Sequence, residues 1–172
     1  MLIQRASDIL PSEITPERVY QNRREFLKAA FLAPLPAHAA QCSQASTAGN
    51  WAYTYSGTIF TPSGPLPLAS VGHFKQDAGG NITGGQSRSV AGQSGAEDIS
   101  GTMSVNSDCT ASATINVFVN GQLLRTAAIS LVYDSNRNHA RMIFQSLTLP
   151  DGTNVPVVIT IDANRLVSNA GQ

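Results

Sequence analysis

The chain has 172 residues, and its 11 basic and 11 acidic residues give a formal net charge of zero. This length fits one domain with a real core, and the charge balance excludes a strongly basic nucleic-acid-binding protein or an acidic tail protein. A hydrophobic fraction of 42% argues against a disordered chain, and two cysteines are too few for a disulfide-dense mini-scaffold or a four-cysteine zinc site.

The first predicted element, residues 1–39, is typical of a cleavable export signal. Two arginines precede a short apolar stretch, and small residues follow it where a signal peptidase reads the chain. The apolar stretch is too short to span a bilayer, which needs about 20 residues. The export signal comprises Arg23, Arg24, Phe26 and Leu27, and the cleavage site comprises Ala37 and Ala39.

The segment from Arg5 to Glu17, which runs into the twin arginines, resembles the precursor N-terminus of the periplasmic methionine sulfoxide reductase catalytic subunit. That family is a molybdopterin enzyme, but its large catalytic domain does not follow here. The resemblance therefore implies twin-arginine export and nothing catalytic. It predicts the twin-arginine translocase and a signal peptidase as transient partners, and a periplasmic or secreted location.

Beyond a small-residue spacer, residues 40–48, apolar and polar residues alternate in a series of short runs separated by turn residues. Alternation with a period of two predicts β-strands with one buried face. The predicted strands cover residues 50–60, 66–76, 82–90, 97–105, 110–119, 122–133, 139–149 and 154–162, and residues 91–96 are predicted to form a loop. The resulting domain is predicted to span residues 49–167, with a tail at 168–172.

Short turns favour antiparallel neighbours, because parallel strands need long crossover connections. Asn120-Gly121 between two alternating runs is the strongest hairpin signal, since both positions of a type I′ turn take positive φ. Eight consecutive strands remove their edges by closing into an all-β, up-and-down antiparallel barrel. A two-sheet β-sandwich is the alternative.

Gly49-Asn50-Trp51 opens the first strand and resembles the Gly-x-Trp motif of lipocalins and related calycins. In those proteins an arginine after the last strand packs over the tryptophan, and Arg165 follows the last predicted strand here. The resemblance implies a barrel with one end closed by Trp51 and Arg165. The alternative is that Trp51 is an ordinary core residue.

Cys42 and Cys109 are the only cysteines, and an exported chain meets an oxidising compartment. We therefore expect a Cys42–Cys109 disulfide, which would stabilise the fold by roughly 4 kcal/mol in the chain-entropy model.

Residue spacing gives no sign of a metal site or a nucleophilic triad, and we expect no metal and no resident cofactor. His73 and His139 lie far apart in sequence, outside any ligand spacing. Glu97 and Asp98 are adjacent in a predicted strand, so they point to opposite faces and cannot form an acid–base pair.

Two functions remain open. The first is an exported binding protein that holds an apolar or amphipathic small ligand, or presents a surface to a protein partner. The second is a barrel-type cyclase or isomerase, similar to allene-oxide-cyclase-like or dirigent-like barrels, with His73, Arg88, Tyr133 and Arg141 as candidate catalytic residues. Convergence of two or more of these residues in a cavity would favour the enzyme. Alternation alone leaves open which strand face points inward and whether the barrel is packed or hollow.

Overall fold

The computed structural model of the protein describes residues 41–166. The predicted export signal, the cleavage site at Ala37 and Ala39, and the predicted tail at 168–172 lie outside the described residues. Within them, no helix is long and apolar enough to cross a membrane.

One short helix and eight strands make up the described chain. The helix α1 covers Gln44–Thr47 and comes directly before the first strand. The strands are β1 (Gly49–Thr61), β2 (Gly64–Gln76), β3 (Asn81–Val90), β4 (Gln93–Val105), β5 (Thr110–Val119), β6 (Gln122–Tyr133), β7 (His139–Thr148) and β8 (Val157–Leu166).

Each strand pairs antiparallel with the next, and β8 pairs with β1, so the sheet closes into an eight-stranded barrel. The closing register sets Gly57 opposite Ile159 and Trp51 opposite Arg165. The predicted barrel is therefore confirmed, and the sandwich alternative is wrong. Asn120 and Gly121 have φ values of 52° and 78°, as the predicted tight hairpin requires.

The predicted bounds of the fourth strand and of the last strand are wrong. Residues 93–96 belong to β4, because a turn of Ala91 and Gly92 alone reverses the chain, with φ values of 47° and 87°. The last strand begins at Val157, since Pro156 has no N–H for a ladder and Asn154 forms only an isolated bridge. It also extends to Leu166, so Arg165 lies inside β8 and not after it.

The aromatic face of β1 points into the barrel. Trp51, Tyr53 and Tyr55 are buried, while Thr54 and Ser56 are exposed. The same alternation continues around the barrel, so the interior receives one face of every strand. Two β-bulges interrupt this alternation. Leu124 of β6 has no partner on β5, and Gln145 of β7 has no partner on β6.

Residues 41–48 of the predicted spacer pack against the barrel. Ser43 caps α1 through a reciprocal pair of hydrogen bonds with Ser46, which satisfies donors at the helix start. Thr47 is fully buried. The helix lies at the end of the barrel where β1 begins, which we call the closed end. The opposite end carries the turns after β1, β3, β5 and β7 and is called the open end.

Candidate functional site

Trp51 and Arg165 lie together at the closed end. The indole is fully buried, and the Arg165 guanidinium carbon lies 5.9 Å from its ring centroid. Arg165 also donates hydrogen bonds to the carbonyl oxygens of Ser46 and Ala48, which bracket the end of α1. Trp51 donates its indole N–H to the Thr47 carbonyl at 3.1 Å. One cation and one aromatic ring thus attach the helix to the barrel.

Polar contacts complete the seal beneath α1. Gln76 is buried and donates to the Thr47 hydroxyl at 2.9 Å. The Tyr133 hydroxyl lies 3.3 Å from the Gln76 amide oxygen and 2.9 Å from the Met103 sulfur. Burial raises the pKa of Tyr133 to about 12, so its phenol stays protonated and remains a donor at neutral pH.

The predicted disulfide is confirmed. Cys42 and Cys109 are bonded, with their Cα atoms 4.9 Å apart, and the bond fixes the chain two residues before α1 to the turn between β4 and β5. Gln44 adds hydrogen bonds to the carbonyls of Gly79 and Met103, at 3.0 and 2.8 Å. The closed end therefore has a structural role.

The barrel is not completely filled. A cavity of about 80 Å³ lies between the Trp51 layer and the open end. Its walls are mainly apolar, and five of the lining residues carry polar groups. The polar lining residues are Tyr53, Tyr55, Gln86, Arg88 and Arg125. The apolar lining residues are Ile59, Leu68, Phe74, Ile82, Ile99, Met103, Ala113, Ile115, Val117, Ala127, Ile129, Met142, Phe144, Leu147, Ile159 and Ile161.

Glu97 connects the polar residues into one cluster, which we call the Glu97 cluster and which comprises Glu97 and the five polar lining residues. Its carboxylate accepts from Arg88 Nε at 2.8 Å and from Arg125 Nη1 at 2.9 Å. Its second oxygen accepts from Arg125 Nη2 and from the Gln86 amide at 2.6 Å. Four donors therefore saturate the carboxylate.

Two tyrosines extend the cluster towards β1. Tyr53 donates its hydroxyl to the Gln86 amide oxygen at 2.7 Å, and Gln86 donates to the Tyr55 hydroxyl oxygen at 3.2 Å. Burial raises the pKa of both tyrosines, so both remain neutral hydrogen-bonding groups at physiological pH.

The ionisation of Glu97 is set by opposing effects. Burial disfavours the carboxylate, but hydrogen bonds from Arg125 and Gln86, together with the charges of Arg125 and Arg88, outweigh burial. The pKa of Glu97 consequently lies below its usual value. Glu97 is thus a charged anchor for two arginines, with no lone pair left for a substrate proton.

The four candidate catalytic residues do not converge. His73 and Arg141 are exposed on the outside of the barrel. Arg88 belongs to the Glu97 cluster, whereas Tyr133 lies at the closed end. Within residues 41–166, no group of three or more His, Cys, Asp and Glu side chains could hold a metal ion.

Sequence reasoning placed Glu97 and Asp98 on opposite faces, and the structure has Glu97 buried and Asp98 exposed. It missed that Gln86, Glu97 and Arg125 form a site with the tyrosines. A signal was present in the alternation. Glu97 occupies the same face as Ile99 and Met103, which are apolar, so a charge there indicated a paired interior group.

The open end gives access to Arg88. In the register of β3 and β4, Arg88 lies opposite Gly95, and a Cβ built on Gly95 would meet nothing within 4 Å. The pairing of β4 with β5 stops at Asp98 and Phe118, so the β3–β4 hairpin extends past β5. The Arg88 side chain is 27% exposed, against 2% for Glu97.

Comparison with known proteins gives the fold alone. No protein-family model and no curated protein matches the chain. Among solved structures, EF1p2_mFAP2b bound to DFHBI is 12% identical, with a TM-score of 0.50 over 74% of this chain and 99% of that one. The S-type phycobiliprotein lyase CPES from Guillardia theta is 10% identical, with a TM-score of 0.45 over 78% of this chain and 99% of that one.

Proposed function

We propose that the protein is an exported binding protein that holds one small, largely apolar molecule inside its barrel. The observation that carries the proposal is the interior cavity of about 80 Å³, with apolar walls and a single polar cluster on one side. Small-molecule sites have this composition, in which apolar walls supply affinity and a few polar groups orient the ligand.

The cavity limits the size of the ligand. Pockets for drug-sized molecules measure about 300–1,000 Å³, several times this cavity. The cavity is about half of the roughly 150 Å³ that holds benzene, so it fits a narrow alkyl chain of a few carbon atoms and not an aromatic ring, and the rest of a six-carbon probe would extend towards the open end. The neighbouring structure EF1p2_mFAP2b, which shares the barrel fold, was solved with the small molecule DFHBI bound.

A binding role is favoured over a cyclase or isomerase. The enzyme hypothesis required two or more of the four candidate residues to meet in a cavity. Of the four, Arg88 alone lines the cavity, and His73 and Arg141 face solvent on the outer surface. The one carboxylate of the interior cluster is saturated by four hydrogen bonds, which leaves it unsuited to general-base catalysis.

Binding is tested with hexan-1-ol as the probe, using ligand-observed NMR and calorimetry. Ala127 is buried and lines the cavity, so Ala127→Phe fills the space with a ring and should abolish binding. Val71→Leu, at an exposed outer position, is the matched control and should bind as the parent does. Binding that survives Ala127→Phe, in a variant with an unchanged circular dichroism spectrum, would refute an interior site.

The export part of the proposal rests on the leader sequence and on the disulfide. Arg23 and Arg24 match the twin-arginine pattern, and a Cys42–Cys109 bond suits the oxidising environment outside the cytoplasm. The twin-arginine translocase and a signal peptidase would act on the chain in transit, with cleavage after Ala39 and a periplasmic or secreted destination.

Export is checked by changing both Arg23 and Arg24 to Lys, which keeps the charge but removes the guanidinium pair. The uncleaved precursor should then accumulate in the cytoplasm, as measured by fractionation and immunoblotting. A single Arg5→Lys change is the matched control and should leave export intact. Normal export of the double variant would contradict the twin-arginine assignment.

A further inference from the structure

The charged side chains that line the interior cavity have one sign. Among residues 41–166, Arg88 and Arg125 line it, and no carboxylate does. Glu97 lies behind them and bonds both guanidinium groups. One negative charge against two positive charges leaves the Glu97 cluster with a surplus of one positive charge beside apolar walls.

The two arginine side chains differ in how many of their N–H groups are already hydrogen-bonded. Arg125 gives both terminal nitrogens to Glu97, so its fork is occupied. Within the described residues, the Arg88 side chain makes one hydrogen bond, through Nε, and its two terminal nitrogens donate to no protein group. These nitrogens carry N–H groups in the planar arrangement that receives a carboxylate in a bidentate manner.

Space is available next to Arg88. Gly95, directly across from it on β4, has no side chain, and a Cβ there would have no neighbour within 4 Å. The guanidinium is therefore accessible from the open end, while its Nε is held by the buried Glu97. Glu97 orients the fork, and Gly95 leaves it uncovered.

Two guanidinium groups that share one carboxylate beside apolar walls keep a surplus positive charge that is less well hydrated than in open water, and a bound anion would pair with it. A single surplus charge favours a single negative charge on the ligand. We propose that the natural ligand is a small amphipathic monocarboxylate, whose carboxylate pairs with Arg88 at the open end and whose apolar body occupies the cavity. This inference rests on the interior binding proposed above and adds the chemical class of the ligand.

The experiment compares three probes with the same six-carbon body: hexanoate, hexan-1-ol and hexylammonium. Calorimetry at pH 7.5 and low salt measures each dissociation constant. We expect hexanoate to bind at least about tenfold more tightly than hexan-1-ol, as charge-assisted hydrogen bonds imply. Hexylammonium should bind more weakly than either, because it meets like charge.

Two variants connect the preference to this site. Arg88→Met keeps much of the side-chain length and should remove at least about tenfold of the hexanoate affinity, while hexan-1-ol affinity changes by less than about threefold. Arg141→Met removes an exposed arginine on the outer face and serves as the matched control. Gly95→Val leaves every charge in place and covers the Arg88 fork, so it should weaken hexanoate binding even if Arg88→Met fails to fold.

The carboxylate assignment and the interior-binding function can be overturned independently. If hexan-1-ol binds the cavity as tightly as hexanoate, or if Arg88→Met and Gly95→Val both leave the preference unchanged, the carboxylate assignment is overturned and interior binding stands. If none of the three probes binds, the interior-binding function itself is overturned. The Nε–Hε signal of Arg88 in ¹⁵N spectra supplies an independent readout, since a carboxylate at its fork should shift that signal and hexan-1-ol should not.

Discussion

Trp51 is surrounded by groups from several parts of the chain. Its ring stacks with Phe74 at a centroid distance of 6.1 Å and contacts Tyr133 at 5.6 Å, while Arg165 covers it and Thr47 accepts its N–H. The residue therefore connects β1, β2, β6, β8 and α1, and the surrounding backbone cannot collapse easily into the space it fills.

Replacing Trp51 with alanine should lower the free energy of unfolding by about 3–5 kcal/mol, because it removes a fully buried aromatic group and leaves a cavity. Urea unfolding followed by circular dichroism measures the change. Val71→Ala, at a position that is 60% exposed, is the control and should change stability by less than about 0.5 kcal/mol. A loss below about 1 kcal/mol for Trp51→Ala would contradict the assigned packing.

Folding changes the pKa of the Glu97 carboxyl group. Its pKa in the folded state is lower than in the unfolded chain, so the folded state favours the carboxylate. The resulting stabilisation is complete above the unfolded pKa, which is about 4.3, and is lost as pH falls through the lower folded value.

At pH 7, Glu97→Gln should cost about 3–5 kcal/mol, because it leaves two largely buried arginines without a counter-charge. The difference between the parent and this variant should shrink as pH falls below about 4. Chemical unfolding at several pH values checks both statements. Asp98→Asn, at the exposed neighbouring position, is the control at pH 7. A pH-independent difference would show that Glu97 is not ionised as described.

At the scale of the element, adjacent glycines in β3 have different surroundings. A Cβ on Gly84 would lie 2.1 Å from the carbonyl oxygen of His73 on β2, which is closer than any real contact. A Cβ on Gly85 would meet nothing closer than 3.5 Å. Gly84 therefore permits the close approach of β3 to β2, whereas a methyl group at Gly85 would make only ordinary van der Waals contacts.

This pair provides a matched test. Gly84→Ala should destabilise the barrel by about 1–3 kcal/mol, because the strands must separate to admit a methyl group. Gly85→Ala should be neutral or slightly stabilising, by up to about 1 kcal/mol, since the unfolded chain loses flexibility. Urea midpoints of both variants give the comparison. Equal effects would mean that the approach of β3 to β2 does not depend on Gly84.

The strands themselves were accessible from sequence because their alternation and turn residues are local signals. β5 and β6 match their predicted bounds, and the Asn120-Gly121 turn has the expected backbone. The start of β8 was misplaced. Pro156, which has no N–H for a ladder, was a local signal that the strand begins after it, whereas the hydrogen bond from Phe60 of β1 to the Pro156 carbonyl is not a local signal. The Glu97 cluster was missed for a related reason, since the barrel register brings β1, β3, β4 and β6 around one carboxylate.

At the scale of the whole molecule, the barrel wall is uneven. β1 and β2 pair along their full lengths, whereas β7 and β8 pair only from His139 to Ile143 on the β7 side. Beyond that point, Gln145 is bulged towards β6, and Pro156 offers no donor to β7. Local opening starts where backbone hydrogen bonds are few, so this seam is the weakest part of the wall.

Hydrogen–deuterium exchange should therefore be faster in a peptide covering residues 144–148 than in one covering 68–74, which lies within β2 and is paired on both sides. Mass spectrometry of the native protein measures both. The ordering should hold at low denaturant, where global unfolding does not contribute. Equal protection of the two peptides would show that the barrel opens only as a unit.

Because the closed end is blocked by packed side chains, the barrel interior opens towards one end and not towards both. Trp51 and Gln76 are buried beneath α1, and Thr47 at the end of α1 is itself fully buried, so the ligand proposed above would enter and leave across the rim formed by the turns after β1, β3, β5 and β7. The ligand would then enter and leave through the same opening, so a second ligand could enter only after the first had left. A partner that delivers the ligand and a partner that receives it would consequently compete for the same rim, and neither could displace the ligand through the closed end.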